Sequence, residues 1–386
     1  MSDDNFSEVS TQSWFSRIGD SIKGMLFGGL LAVVAVVVLF WNEGRAVNRA
    51  QALKEGAGAV VAASAERVEP ANDGKLVHLS GLATTTETLA DGEFGVATNV
   101  LKLRRNAEMY QWKETKSESK DKNLGGSETT KTTYSYAKQW SASLIDSAQF
   151  KQREGHTNPA AMPYATRTST AEKVTVGAFT LSGGLTGLIN NFTELPVEQT
   201  ESLPAPLKTK AKLQDRRIFL GADPASPQIG DQRIGFQIAR PAVVSLIARQ
   251  VKGTFEPYTT KNGGTIQLLQ VGEFSAGAMF QRAEAENAWL TWALRLGGFI
   301  AMWIGFMLIA KPLAVLGDIV PFIGTVIEFG TGLIALLLAG VISLVTVAVA
   351  WIVYRPVLGV ALLVTAIALP FVVKRMRQGA KPAAQR

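Results

Sequence analysis

Apolar residues gather toward the two ends of this chain, while a long middle stretch alternates apolar and polar positions. Between residues 288 and 373 the ionised side chains are Arg295, Lys311, Asp318, Glu328 and Arg355, and they separate apolar runs at 299–310, 331–353 and 357–373. A run of about 20 apolar residues suffices for a helix to cross a hydrocarbon layer ~30 Å thick. Near the start, residues 24–41 form an uncharged run rich in Val and Leu, closed by Trp41 at the position an interfacial aromatic prefers. The leader carries Asp3, Asp4 and Glu8, and Asn42-Glu43-Gly44-Arg45 follows the run in place of a small-residue cleavage pattern. A retained anchor is therefore expected, not a signal peptide.

The pattern predicts an α+β multi-pass membrane protein: four transmembrane helices at 24–41, 288–310, 330–353 and 357–373, and a large, mostly β extracytoplasmic domain at 42–287. Residues 1–23 form a cytoplasmic leader in which Trp14, Phe15, Ile18 and Ile22 fall at helical spacing, as in an interfacial amphipathic helix. In the middle stretch, alternation predicts strands at 75–82, 99–112, 173–181, 217–220, 232–238, 242–251 and 265–271. The charged, Ser- and Gly-rich stretch 113–131 reads as an exposed loop, 144–153 as a short helix, and Asn262-Gly263-Gly264 as a hairpin tip. Helix formers after Ser275 continue without a breaker into the second span. Pro312, Gly317, Pro321 and Gly324 interrupt residues 311–329, which read as an interfacial or re-entrant segment.

Charge sets the orientation. Much of the net +7 sits in the tail 374–386, where Lys374, Arg375 and Arg377 directly follow the last span. The positive-inside bias puts this tail in the cytoplasm, and those three side chains are expected on anionic lipid headgroups; nucleic acid is not an expected partner. With four crossings both ends are cytoplasmic and the large domain lies across the membrane.

Motifs for chemistry are sparse. The chain has no Cys and only two His, at 78 and 156, so neither a disulfide framework nor a usual zinc site is expected. The nucleophile-elbow and phosphate-loop patterns are absent. No catalytic, cofactor-binding or metal-binding residue is assigned, and no cofactor is expected. His78, Tyr110, Trp112, Trp140, His156 and Arg233 are candidate interface or structural positions in the outer domain. Arg295, Asp318 and Glu328 are candidate intramembrane polar residues, because charge in hydrocarbon is costly and commonly functional.

Several rare-residue motifs recur in a fixed order: Phe40-Trp41-Asn42-Glu43-Gly44-Arg45-Ala46, Leu53-Lys54-Glu55-Gly56-Ala57, His78-Leu79-Ser80-Gly81, Glu108-Met109-Tyr110-Gln111-Trp112, Tyr134-Ser135-Tyr136 with Trp140, His156-Thr157-Asn158-Pro159, Gly230-Asp231-Gln232-Arg233, Phe274-Ser275-Ala276 and Tyr354-Arg355-Pro356. In these the chain resembles the transmembrane protein 43 (LUMA) family along nearly its whole length. The resemblance implies one N-terminal span, a large lumenal domain and a C-terminal group of spans. It also implies a non-enzymatic scaffold of the endoplasmic reticulum and inner nuclear membrane that self-associates and organises envelope proteins such as emerin and lamins. The Ala and Gly content suggests a bacterial member, for which the inner membrane with a periplasmic domain is the expected location and the partners are unidentified envelope proteins. The competing expectation is a membrane transporter or enzyme that uses Asp318, Glu328 and Arg295.

Overall fold

The computed structural model describes residues 4–198, 203–357 and 359. It forms two compact units: Met1–Val9, Lys54–Ser119 and Lys131–Gln281 make the first, and Ser10–Leu53, Lys120–Thr130 and Arg282–Arg386 the second. Among the described residues there are five α-helices: α1 (Trp14–Ala59), α2 (Gly183–Leu188), α3 (Ala205–Lys208), α4 (Ala276–Gly317) and α5 (Pro321–Tyr354).

The first unit is built on two sheets. One, of eight strands, runs in the order Asn5–Gln12, Glu128–Ser141, Lys102–Lys122, Gln232–Ala239, Arg217–Leu220 and Ala211–Gln214, with two short strands paired off this path. The other, of seven, centres on Leu76–Thr84 paired antiparallel with Ala242–Val251, so that Leu79 faces Leu246. Period-two alternation explains the pairing. Along Lys102–Lys122 the odd positions Leu103, Arg105, Ala107, Met109 and Gln111 are buried while the even ones from Arg104 to Tyr110 are half-exposed. Gln232–Ala239 answers in register, with Ile234 opposite Ala107 and Ile238 opposite Leu103.

Each sheet has its own apolar cluster. Phe179, Leu185, Leu246 and Phe255 belong to one, and Phe94, Ile218, Ile234 and Phe236 to the other. Each such side chain contributes about 1.5–3 kcal/mol by leaving water. Arg105 sits on a core face because Asp91, 3.0 Å away, and Glu93 neutralise it. Gly177 has φ +57°, and a Cβ there would lie 2.0 Å from the Ala65 carbonyl oxygen.

Several expected strands stand where the alternation put them; Arg217–Leu220 and Ala242–Val251 have the expected limits. The stretch read as a loop does not. Lys102–Lys122 and Glu128–Ser141 form a long hairpin that leaves only 123–127 as its turn, with Gly125 and Gly126 at φ +84° and +82°. Its outer half is polar because most of those side chains are exposed on both faces of the ribbon, so composition resembles a loop while the backbone is extended. Asn5–Gln12 is a further strand, and 144–153, expected as a short helix, holds only a 3₁₀ turn at Ser147–Gln149.

The second unit contains most of α1, α4 and α5, which among the described residues are three helices long and apolar enough to cross a membrane. The second span runs unbroken from the helix that starts at Ala276, where the Ser275 hydroxyl caps by accepting from the Ala278 N–H. α1 and α4 pack backbone to backbone: a Cβ on Gly28 would lie 2.5 Å from the Gly305 carbonyl oxygen, and one on Gly298 would strike Leu39 at 2.6 Å. Ala35, Leu39, Met302 and Ala339 close this contact. Within residues 311–329, α4 continues through Pro312 to Gly317, the helix breaks at 318–320, and α5 begins at Pro321, a favoured place for proline. The run expected as a fourth span lies, but for residues 357 and 359, outside the described residues, as do Lys374, Arg375 and Arg377.

Candidate functional site

Two polar centres occupy the helical unit, and each is built where helix periodicity brings charges from distant segments together. In the first, Glu43 of α1 is fully buried and offers both oxygens to Arg295 of α4, Oε1 to Nε at 2.6 Å and Oε2 to Nη2 at 2.8 Å. The indole Nε1 of Trp351 on α5 donates to Oε2 at 2.8 Å, so one carboxylate joins three helices. Neighbouring groups are also committed. Asn42 donates to the Thr291 carbonyl at 3.1 Å, and Arg45 donates to Asn287 and to the Thr291 hydroxyl, both at 2.9 Å. Gly44 is required by Tyr354, whose ring would lie 2.6 Å from a Cβ. The Arg295 guanidinium lies 4.7 Å from the Trp292 ring centroid. A cavity of about 360 Å³ opens beside this centre, lined among others by Glu43, Glu284, Trp292, Arg295, Trp351 and Arg355.

The second centre lies at the turn between α4 and α5. Asp318, 1% exposed, pairs with Arg17 at 2.5 Å and with Lys122 at 3.0 Å. Arg17 also reaches Glu128 at 3.3 Å and donates to the Gly126 carbonyl at 2.5 Å, and Lys122 reaches Glu328 at 2.7 Å. Burial pulls the Lys122 ammonium down, but its bonds to Glu328 and Asp318 prevail and hold its pKa above the ordinary lysine value. Backbone geometry completes the fit: Trp14 Nε1 donates to the Val315 carbonyl at 2.8 Å, and the Gly125 N–H to that of Ile319 at 3.0 Å. The turn of the long hairpin thus shares one ion cluster with the leader.

The six outer-domain candidates fall into two groups and one isolated residue. His156 is buried and stacks on Tyr136 at 3.9 Å, with Trp112 edge-on at 4.7 Å. Its Nδ1 faces the Gln152 carbonyl at 3.1 Å and its Nε2 faces Asp4 Oδ2 at 2.8 Å, so both ring nitrogens meet oxygen acceptors. Tyr136 donates to Glu114 at 2.6 Å. Burial first, and that bond second, push the phenol up to about 12. In the other group Arg233 lies over Trp140, 4.6 Å from the ring centroid, Tyr110 packs on Trp140 at 5.2 Å, and Arg233 donates to Glu108 at 2.6 Å. His78 stands apart, its Nε2 donating to the Phe274 carbonyl at 2.9 Å.

Among the described residues no cluster of three or more His, Asp or Glu side chains is placed to hold a metal. Sequence reasoning singled out Arg295 but missed Glu43 as its partner; the charge directly after the first apolar run was the available signal. It also missed Arg17, Lys122 and Glu128, which composition marked only as solvated charges.

Three long apolar helices, α1 and α4 joined by the buried Glu43–Arg295 pair, in a chain that also holds a two-sheet unit, define an integral membrane protein. The family model for transmembrane protein 43 matches residues 109–356. The chain belongs to the transmembrane protein 43 family. It is 36% identical over 387 residues to transmembrane protein 43 of Homo sapiens, covering 97% of this chain and 95% of that one. The Mus musculus protein is 35% identical over 379 residues, covering 95% and 93%. The Drosophila melanogaster homologue is 32% identical over 359 residues, covering 90% and 93%. These relatives are animal proteins and lend no support to the bacterial source suggested by Ala and Gly content. No solved structure matches.

Proposed function

We propose that this protein is a non-enzymatic membrane organiser, in which the helical unit anchors the chain and the two-sheet domain binds partners or further copies of itself. The observation that supports this most is the fate of three acids in the helical unit. Glu43 is taken up by Arg295, Asp318 by Arg17 and Lys122, and Glu328 by Lys122. A path for ions or a buried acid–base pair needs groups free to change partner or protonation state; these acids hold segments together. That weighs against the transporter or enzyme reading, which predicts that replacing Asp318 and Glu328 by Asn and Gln abolishes a flux in proteoliposomes.

The apolar run 357–373 supports a fourth crossing, and the basic residues after it support a cytoplasmic tail. The Arg17–Asp318–Lys122 cluster runs against separating the leader from the hairpin turn by a bilayer. The organiser reading is tested by unbiased crosslinking of the tagged protein in its native membrane, followed by sizing in mild detergent. A defined oligomer or a reproducible crosslinked partner is expected. A strictly monomeric particle with no co-purifying protein overturns the reading.

A further inference from the structure

We infer that the cavity beside Glu43 is a binding site for a phospholipid headgroup bearing both a phosphate and a primary amine, of the phosphatidylethanolamine kind. Its depth is set by three helices that change character at one level. α1 turns polar after Trp41, α5 ends at Tyr354 before Arg355, and α4 becomes apolar after Trp292. Trp41, Trp289 and Trp292 are 57%, 73% and 67% exposed. Exposed indoles at such a boundary mark the headgroup layer. The cavity volume, about 360 Å³, suits a headgroup.

The lining selects the ligand. Arg295 is already neutralised by Glu43, which leaves Arg355 and Glu284 as the charges with no ion-pair partner among the described residues. Arg355 lies 6.0 Å from the centroid of the Trp351 ring, which leaves its planar fork of donors for a phosphate. Glu284, exposed on the opposite helix, supplies a carboxylate to an ammonium. Among the described residues of the lining, this cation and this anion, neither in a direct ion pair, balance a zwitterion. A choline headgroup carries no N–H for Glu284, and a glycerol headgroup carries no cation.

The test uses the full-length protein in mixed micelles containing equal amounts of phosphatidylethanolamine, phosphatidylcholine and phosphatidylglycerol, with retained lipid read by native mass spectrometry. Phosphatidylethanolamine is expected to be retained about tenfold over the other two. Glu284→Gln should erase the preference over phosphatidylcholine while retaining phospholipid, and Arg355→Gln should reduce retention of all three. Unchanged thermal unfolding of Glu284→Gln, an exposed position, separates loss of binding from misfolding. Equal retention by the native protein, or a preference untouched by both substitutions, overturns the site. Complete displacement by soluble glycerophosphoethanolamine overturns its assignment to a lipid.

Discussion

Glu43 and Arg295 meet edge to edge, two parallel bonds of 2.6 and 2.8 Å joining a carboxylate with no solvent exposure to a guanidinium on another helix. The pair holds because the attraction between the partners offsets their desolvation, and Trp351 adds a third donor to the Glu43 carboxylate. Arg295→Met leaves a buried carboxylate alone and is expected to cost about 3–5 kcal/mol in thermal or denaturant unfolding in detergent. Lysine cannot restore the paired geometry. Joining Glu43→Gln to Arg295→Met should recover part of the loss.

The hairpin turn and the leader can be tied directly, since the Thr11 and Thr129 hydroxyl oxygens are 3.5 Å apart and the chain contains no Cys. A Thr11→Cys/Thr129→Cys variant is expected to form an internal disulfide under mild oxidation, seen as a mobility shift reversed by reductant. Asp318→Asn should lower the yield by loosening Arg17 and Lys122. Two reactive cysteines that never crosslink, and that label from opposite sides of sealed vesicles, would remove the ion cluster from the membrane-bound protein.

At Gly177 the backbone is left-handed and the Ala65 carbonyl fills the space of a side chain. Gly177→Ala should destabilise the first unit by more than about 1 kcal/mol. Gly187→Ala, in a helix with open space around it, should be neutral or slightly stabilising.

Tyr136 gives the two-sheet unit an alkaline limit. Its folded pKa of about 12 lies above the ordinary 10.0, so the folded state holds the phenol proton more tightly than the unfolded chain. The stability this provides is full below pH 10.0 and is lost as pH rises toward about 12. Tyr136→Phe should flatten that limb in unfolding curves recorded across the range. At neutral pH it should cost about 1.5–3 kcal/mol, because the bond to Glu114 is made to a charged acceptor.

What the sequence disclosed follows physical range. The apolar runs and the strands with one buried face were legible because their period is local: Leu76–Thr84 and Ala242–Val251 alternate within a few residues. The polar hairpin was not, since Lys113 to Lys122 carry no buried face to betray an extended backbone. Trp112 and His156 were identified singly, but their contact joins a strand to a turn far along the chain, and only the fold places them together. Asp318 read as a costly charge because Arg17, its neutralising partner, is 301 positions away.

The close approach at Gly28 and Gly305 sets a tolerance for inherited change. The main chains touch there without an intervening side chain, so adding even one methyl group must push α1 and α4 apart. That displacement would pass along two stiff rods and reach Glu43 and Arg295 as a mismatch of donor and acceptor. A variant far from any charge would then present as a fault in the ion pair.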